Sequence, residues 1–257
     1  MSDTIDAAAP PLTSPPPPGD AAELSPAGLQ ALSAGELTRL AQGLYFIFLG
    51  SLAVLAATIE LFVAPTLRPF QILAGAGGVI GVLAGSWRLC QVRAPGQEWK
   101  LSTRGLLALA ALMVYLFPFF CFWRKVPGNV YLLCHALVWV GAFICHTALL
   151  GSTMGVLGKL AGRPALVAQS VVFAGITFLT LFAPFALLSR ELVLVARQGT
   201  DPLYALQLLI SQIPLLLGLG LLSPFALTLS LVWSAKDIAV KQLMAVGPAG
   251  AGDADRP

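Results

Sequence analysis

The sequence predicts an all-α, polytopic membrane bundle of about six spans. Three observations carry this. Six apolar stretches, each near bilayer length, fill residues 41–233. Only 11% of residues are charged against 57% hydrophobic, with a mean hydropathy of +0.84, and the charges cluster between the stretches. Trp87, Trp99, Trp123, Trp233, Tyr131 and Tyr204 fall at or near the stretch ends, where rings with one apolar and one hydrogen-bonding edge settle. A hydrocarbon core of ~30 Å needs about 20 apolar residues in helical form. The apolar runs are unbroken rather than alternating, which selects helices over a barrel.

Residues 1–40 differ from the rest. Pro10, Pro11, Pro15, Pro16, Pro17, Pro18 and Pro26 share this segment with Ala, Ser, Gly and acidic residues. Proline lacks a donor and favours extended chain, so 1–40 reads as a disordered cytoplasmic tail. It has no basic start followed by an apolar run, so it does not read as a cleaved signal peptide. The spans follow at about 41–64, 70–90, 105–123, 130–152, 165–188 and 206–233. Residues 236–257 read as a short juxtamembrane helix and a tail, with Ile238, Leu243 and Met244 placed to lie in the interface.

Lys and Arg outside the hydrocarbon set the orientation. Ten fall on the side of both termini, including Arg39, Arg88, Lys159, Arg163, Lys236 and Lys241, against five on the other. This bias places both termini in the cytoplasm, and a bacterial plasma membrane is the expected location. The aqueous loops are too short to hold a soluble active site.

Span two carries Gly77, Gly81 and Gly85, with Gly78 and Ala74 near the same stripe. Small residues at four-residue spacing let a second helix approach closely. That helix belongs either to this chain or to a second copy. Gly151 and Gly155 are a weaker version. Span four carries Cys134-His135 and Cys145-His146. Eleven residues return to the same helix face, but roughly 16 Å further along the axis. His135 and His146 therefore cannot share one metal ion, and each reads as an interior histidine bonded to neighbouring helices. Cys90, Cys121, Cys134 and Cys145 form no CxxC pair and read as small buried hydrophobes. No cofactor is expected.

Glu60 is the only acid well inside a span, near its outer end. An ion pair with Arg68, Arg124, Lys125 or Arg190 is one reading, and a proton or cation carrier group is the other. Asp201-Pro202 reads as a helix start, cap followed by proline. Beyond it Ser211, Gln212, Pro214, Gly218, Gly220, Ser223 and Pro224 make span six irregular. Interior proline frees a carbonyl and bends the helix. Polar members of span six are expected to bond to Gln169, Ser170, Thr177 or Thr180 of span five. Trp139, near mid-span, is expected to pack on neighbouring helices. A tripeptide echo also appears at Phe117-Pro118-Phe119, Ala183-Pro184-Phe185 and Ser223-Pro224-Phe225.

The chain contains no P-loop, HExxH, GxSxG or voltage-sensor arginine array, and no basic-aromatic surface for nucleic acid. The leading expectation is a non-enzymatic multi-pass protein serving membrane assembly or acting as an accessory subunit. Its partners would be the lipid bilayer and other membrane subunits or a second copy. A transporter or channel component using Gln169, Ser211, Gln212 and Glu60 is the first alternative. A haem- or metal-binding redox protein using His135 and His146 is the second.

Overall fold

A computed structural model describes residues 27–63, 69–212 and 215–251. The proline-rich residues 1–26, together with Arg68, Pro214 and Arg256, lie outside the described residues. Nine α-helices and one π segment make up the described chain, with no strand among them. After the short α1 (Ala27–Gln30) come α2 (Ala34–Val63), α3 (Pro69–Cys90), α4 (Gln97–Lys125) and α5 (Val130–Leu160). Then α6 (Pro164–Thr177), a π segment (Phe178–Phe182) and α7 (Ala183–Arg197) form one continuous rod. It is followed by α8 (Pro202–Gln212) and α9 (Leu215–Ala251).

Five of these rods are long and apolar enough to cross a bilayer, judged on the described residues: 34–60, 69–90, 97–125, 130–160 and 164–197. The chain is therefore a multi-pass membrane protein. A further rod, α9, runs between the two ends of the bundle. It runs from Phe225, packed on one core, to Val232, Ala235 and Ala239 in the other.

Two apolar cores mark the two ends of an antiparallel bundle. At the basic end, Leu37, Leu40 and Leu44 of α2 meet Leu89, Trp99, Leu157 and Ala239. At the far end, Met113, Phe117 and Phe120 of α4 surround Trp139, with Leu192 and Leu206 closing the side. Trp139 is buried, stacks on Phe120 at 4.6 Å and donates from its indole nitrogen to the Met113 carbonyl at 3.0 Å. Packing was the expectation; the hydrogen bond shows why the polar edge is tolerated at that depth.

Helix starts follow their local chemistry. Asp201 caps α8 as expected, its carboxylate accepting from Leu203 N at 2.8 Å. Asn129 caps α5 by accepting from Leu132 N at 3.2 Å. The start of α2 differs from the sequence reading, which kept residues 27–40 in the tail. Ser33 and Glu36 form a capping box: Ser33 Oγ accepts from Glu36 N at 3.3 Å, and Glu36 Oε2 accepts from Ser33 N at 3.0 Å. The Ser-x-x-Glu spacing starts the helix at Ala34, and Leu37 and Leu40 are then buried.

At the other end of the chain, α9 continues without a break past Trp233 to Ala251. Its extension packs along the bundle rather than leaving it. Ala235 and Ala239 are buried in the basic-end core, and Ile238 and Leu243 pack against it, while Met244 stays exposed.

The π segment is the feature of span five that the sequence reading missed. Pro184 has no N–H for the Thr180 carbonyl, and its ring crowds that carbonyl in an α-helix. Widening the preceding turn to i→i+5 relieves both. Thr180 Oγ1 donates to the Ile176 carbonyl at 2.7 Å in the same stretch. Pro184→Ala is expected to return 178–182 to α-helix, rotating the flanking faces by about 100° relative to each other. Labelling of single cysteines at Val171 and Leu187 reads this as a change in which face is reactive. An unchanged pattern would assign the π turn to packing, such as Phe185 against Gly141.

Candidate functional site

The glycine stripe is a contact within this chain, and its membership differs from the sequence reading. A Cβ placed on Gly85 would lie 2.6 Å from the Gly43 carbonyl oxygen and 2.8 Å from Ile47 N of α2. One on Gly50 would lie 2.7 Å from both the Gly78 oxygen and Val82 N, and one on Gly78 2.9 Å from Val54 N. Gly81 sits at ordinary contact distance, 3.4 Å from Gly50 Cα. Gly77 is exposed, and a Cβ there meets nothing within 4 Å. Gly43 and Gly50 on α2, and Gly78 and Gly85 on α3, thus face each other at seven-residue spacing, the repeat of left-handed helix packing. Four-residue counting chose Gly77 where the seven-residue repeat puts Gly78.

The second small-residue pair behaves likewise. A Cβ on Gly155 would collide with Ser170 of α6, while Gly151 faces open space.

The polar candidates do not converge. Glu60 is exposed, three residues before α2 ends at Val63. Arg190, one of its expected partners, lies 4.0 Å from its neighbour Glu191. Ser211 and Gln212 are exposed at the end of α8, and Ser211 Oγ donates to the Leu208 carbonyl at 2.7 Å. The expected bonds between spans five and six are replaced by bonds within each helix. Ser170 donates to Val167 O at 2.7 Å, Ser223 to Gly220 O at 2.7 Å and Thr228 to Pro224 O at 2.8 Å. A short hydroxyl reaches the carbonyl three or four residues back more readily than a neighbouring helix.

The void between α2, α5 and α9, lined by Ser51, Thr147, Phe225 and Thr228, measures about 10 Å³. One water needs about that much room. None of Gln169, Ser211 or Gln212 lines it.

The two histidines occupy separate places. His135 sits near the far end, stacked on Phe119 at 4.8 Å. Its Nδ1 lies 2.8 Å from the Tyr131 carbonyl, which accepts only, so this nitrogen carries the proton. His146 is completely buried, with Nε2 3.5 Å from Ser86 Oγ of α3, the outer limit for a hydrogen bond. Among the described residues no three His, Cys, Asp or Glu side chains gather as a metal site. The four cysteines are free, and Cys90 Sγ donates to the Thr103 carbonyl at 3.0 Å. Cys134 is exposed, against the expectation of burial.

Gln169 belongs to a feature the sequence reading did not assemble. It lines a groove of about 540 Å³ at the basic end, between the α5–α6 turn with the start of α6 and the C-terminal part of α9. Arg163 and Ala165 stand on one wall, and Ser234, Asp237, Lys241 and Gln242 on the other. Lys241 and Gln169 are 72 residues apart in sequence, and only the return of α9 alongside α6 unites them. No protein-family model, no curated protein and no solved structure matches this chain.

Proposed function

We propose that this chain is a non-enzymatic subunit of a membrane assembly, held in the bilayer with both termini on the cytoplasmic side. The observation that carries this reading is the unequal burial of its spans. In four of the long apolar rods, 39–44% of the residues in the most apolar stretch are buried inside the chain; in 164–197 the figure is 11%. Val171, Val172, Phe178, Leu179 and Leu187 of that rod are exposed. In lipid, helices associate through packing rather than expulsion of water, so a loosely packed rod retains most of its contact surface for another helix. The small void among α2, α5 and α9, which none of Gln169, Ser211 and Gln212 lines, supports an assembly role over a conduit built on those residues.

Photo-crosslinking residues placed singly at Val171, Leu179 and Leu187 in native membranes test this. The expected result is one protein captured from all three positions, and not from Leu73, which is equally exposed on α3. Only lipid adducts at every position, together with a free monomer in mild detergent, would reject the assembly role.

A further inference from the structure

We propose that the basic-end groove is a phosphate-binding site, filled by an anionic phospholipid headgroup or a small soluble phosphate. Its volume of about 540 Å³ is in the range of ligand pockets, about 300–1,000 Å³. Arg163 and Lys241 project from opposite walls, and neither makes an ion pair among the described residues. The one carboxylate in the lining, Asp237, is engaged by Lys236 Nζ at 3.3 Å. Arg163 and Lys241 against one carboxylate, itself engaged by Lys236 from outside the lining, leave the site positive. Gln169 and Gln242 add neutral donors for the remaining phosphate oxygens.

The backbone adds to the same charge. Arg163, at the N-cap of α6, supplies no side-chain cap, and Pro164 follows it. Leu166 N and Val167 N turn back to the Arg163 carbonyl at 3.1 and 3.4 Å. Ala165, whose N–H has no place in the α ladder, lines the groove. An anion there meets the positive end of the helix dipole as well as the two side chains.

Position fits a headgroup. The groove lies within a turn or two of Trp233, over whose ring Lys236 Nζ sits at 3.3 Å, and Trp favours the membrane interface. A second polar groove occupies the same end, lined by Ser33, Glu36, Arg39 and Arg93. There Glu36 takes hydrogen bonds from Ser33 and lies beside Arg93, so the groove's own carboxylate competes with an entering anion for its cations. That groove is the matched control.

The test uses the full-length protein in detergent. Native mass spectrometry follows binding of dioleoylphosphatidylglycerol, with inorganic phosphate and glycerol 3-phosphate as soluble competitors. Wild type is expected to retain the lipid, and R163Q/K241Q to bind it about tenfold more weakly. R39Q/R93Q, with the same loss of charge, is expected to bind as wild type, and R163K/K241R to recover most of the affinity. Lipid that millimolar soluble phosphate does not displace assigns the site to a headgroup; displacement, or phosphate binding without lipid, assigns it to a soluble phosphate. Equal binding by R163Q/K241Q and wild type, equal weakening in R39Q/R93Q, or no binding of lipid or phosphate overturns the proposal.

Discussion

Gly85→Leu is expected to separate α2 from α3 and destabilise the bundle by about 3 kcal/mol or more. Overpacking in a core costs about 1–3 kcal/mol when neighbouring side chains can move aside. Here the atoms in the way are backbone: the Gly43 carbonyl and the Ile47 nitrogen lie under 3 Å from where a Cβ would stand. Neither can turn away without breaking its own helix, so the helices must part. Gly50→Leu should behave the same way, because both of its nearest contacts are also backbone. Gly77→Leu is the control. It meets open space, and loss of glycine from a helix interior gains about 0.5–1 kcal/mol. Unfolding in mixed micelles with rising SDS reads all three. If Gly77→Leu proved as damaging as Gly85→Leu, the four-residue stripe would face another molecule and the intrachain account would fail.

Trp139→Ala should cost about 2–3 kcal/mol. Removing a large aromatic from a water-soluble core costs about 3–5 kcal/mol, part of it the transfer of apolar surface from water. In a bilayer the separated helices still lie in hydrocarbon, so that part is lost and the cavity term remains. The indole touches a column of rings: Phe117 at 5.9 Å, Phe120 at 4.6 Å and Phe143 at 6.2 Å, with Phe143 passing the contact to Phe225 of α9 at 5.3 Å. Trp139 therefore ties α5 to α4 directly, and its neighbour Phe143 ties α5 to α9. Trp139→Phe keeps the column but forfeits the bond to the Met113 carbonyl, and should cost only about 0.6 kcal/mol. The same SDS titration checks both variants. Equal losses for Ala and Phe would move the weight from stacking to the hydrogen bond.

The three Phe/Pro tripeptides show where local sequence stops deciding structure. Pro118 and Pro224 sit inside continuous α-helices, while Pro184 is preceded by a π turn. All three remove the same hydrogen bond, so proline chemistry does not separate them. Pro118 lies in a rod packed between α3 and α5, where the far-end core holds Phe117 and Phe120. Pro184 lies in the rod with the least burial, where an extra residue per turn disturbs few neighbours.

Membrane residence, helicity and the antiparallel threading of long rods were legible in composition and run length alone. An apolar run of bilayer length has one low-energy solution, and short connections force successive rods to alternate direction. The capping signals at Asp201 and Ser33 were equally local, although the second was overshadowed by the proline-rich residues before it. Which faces meet was not legible. Gly77 and Gly78 differ by one position and 100° of helix rotation, and only the crossing of α2 over α3 chooses between them. Likewise, the basic-end groove joins Arg163 to Lys241 only because α9 packs back along α6. Solvation is a property of each segment and is written in it. Register and the meeting of distant side chains depend on close packing between segments, and only the tertiary structure decides that.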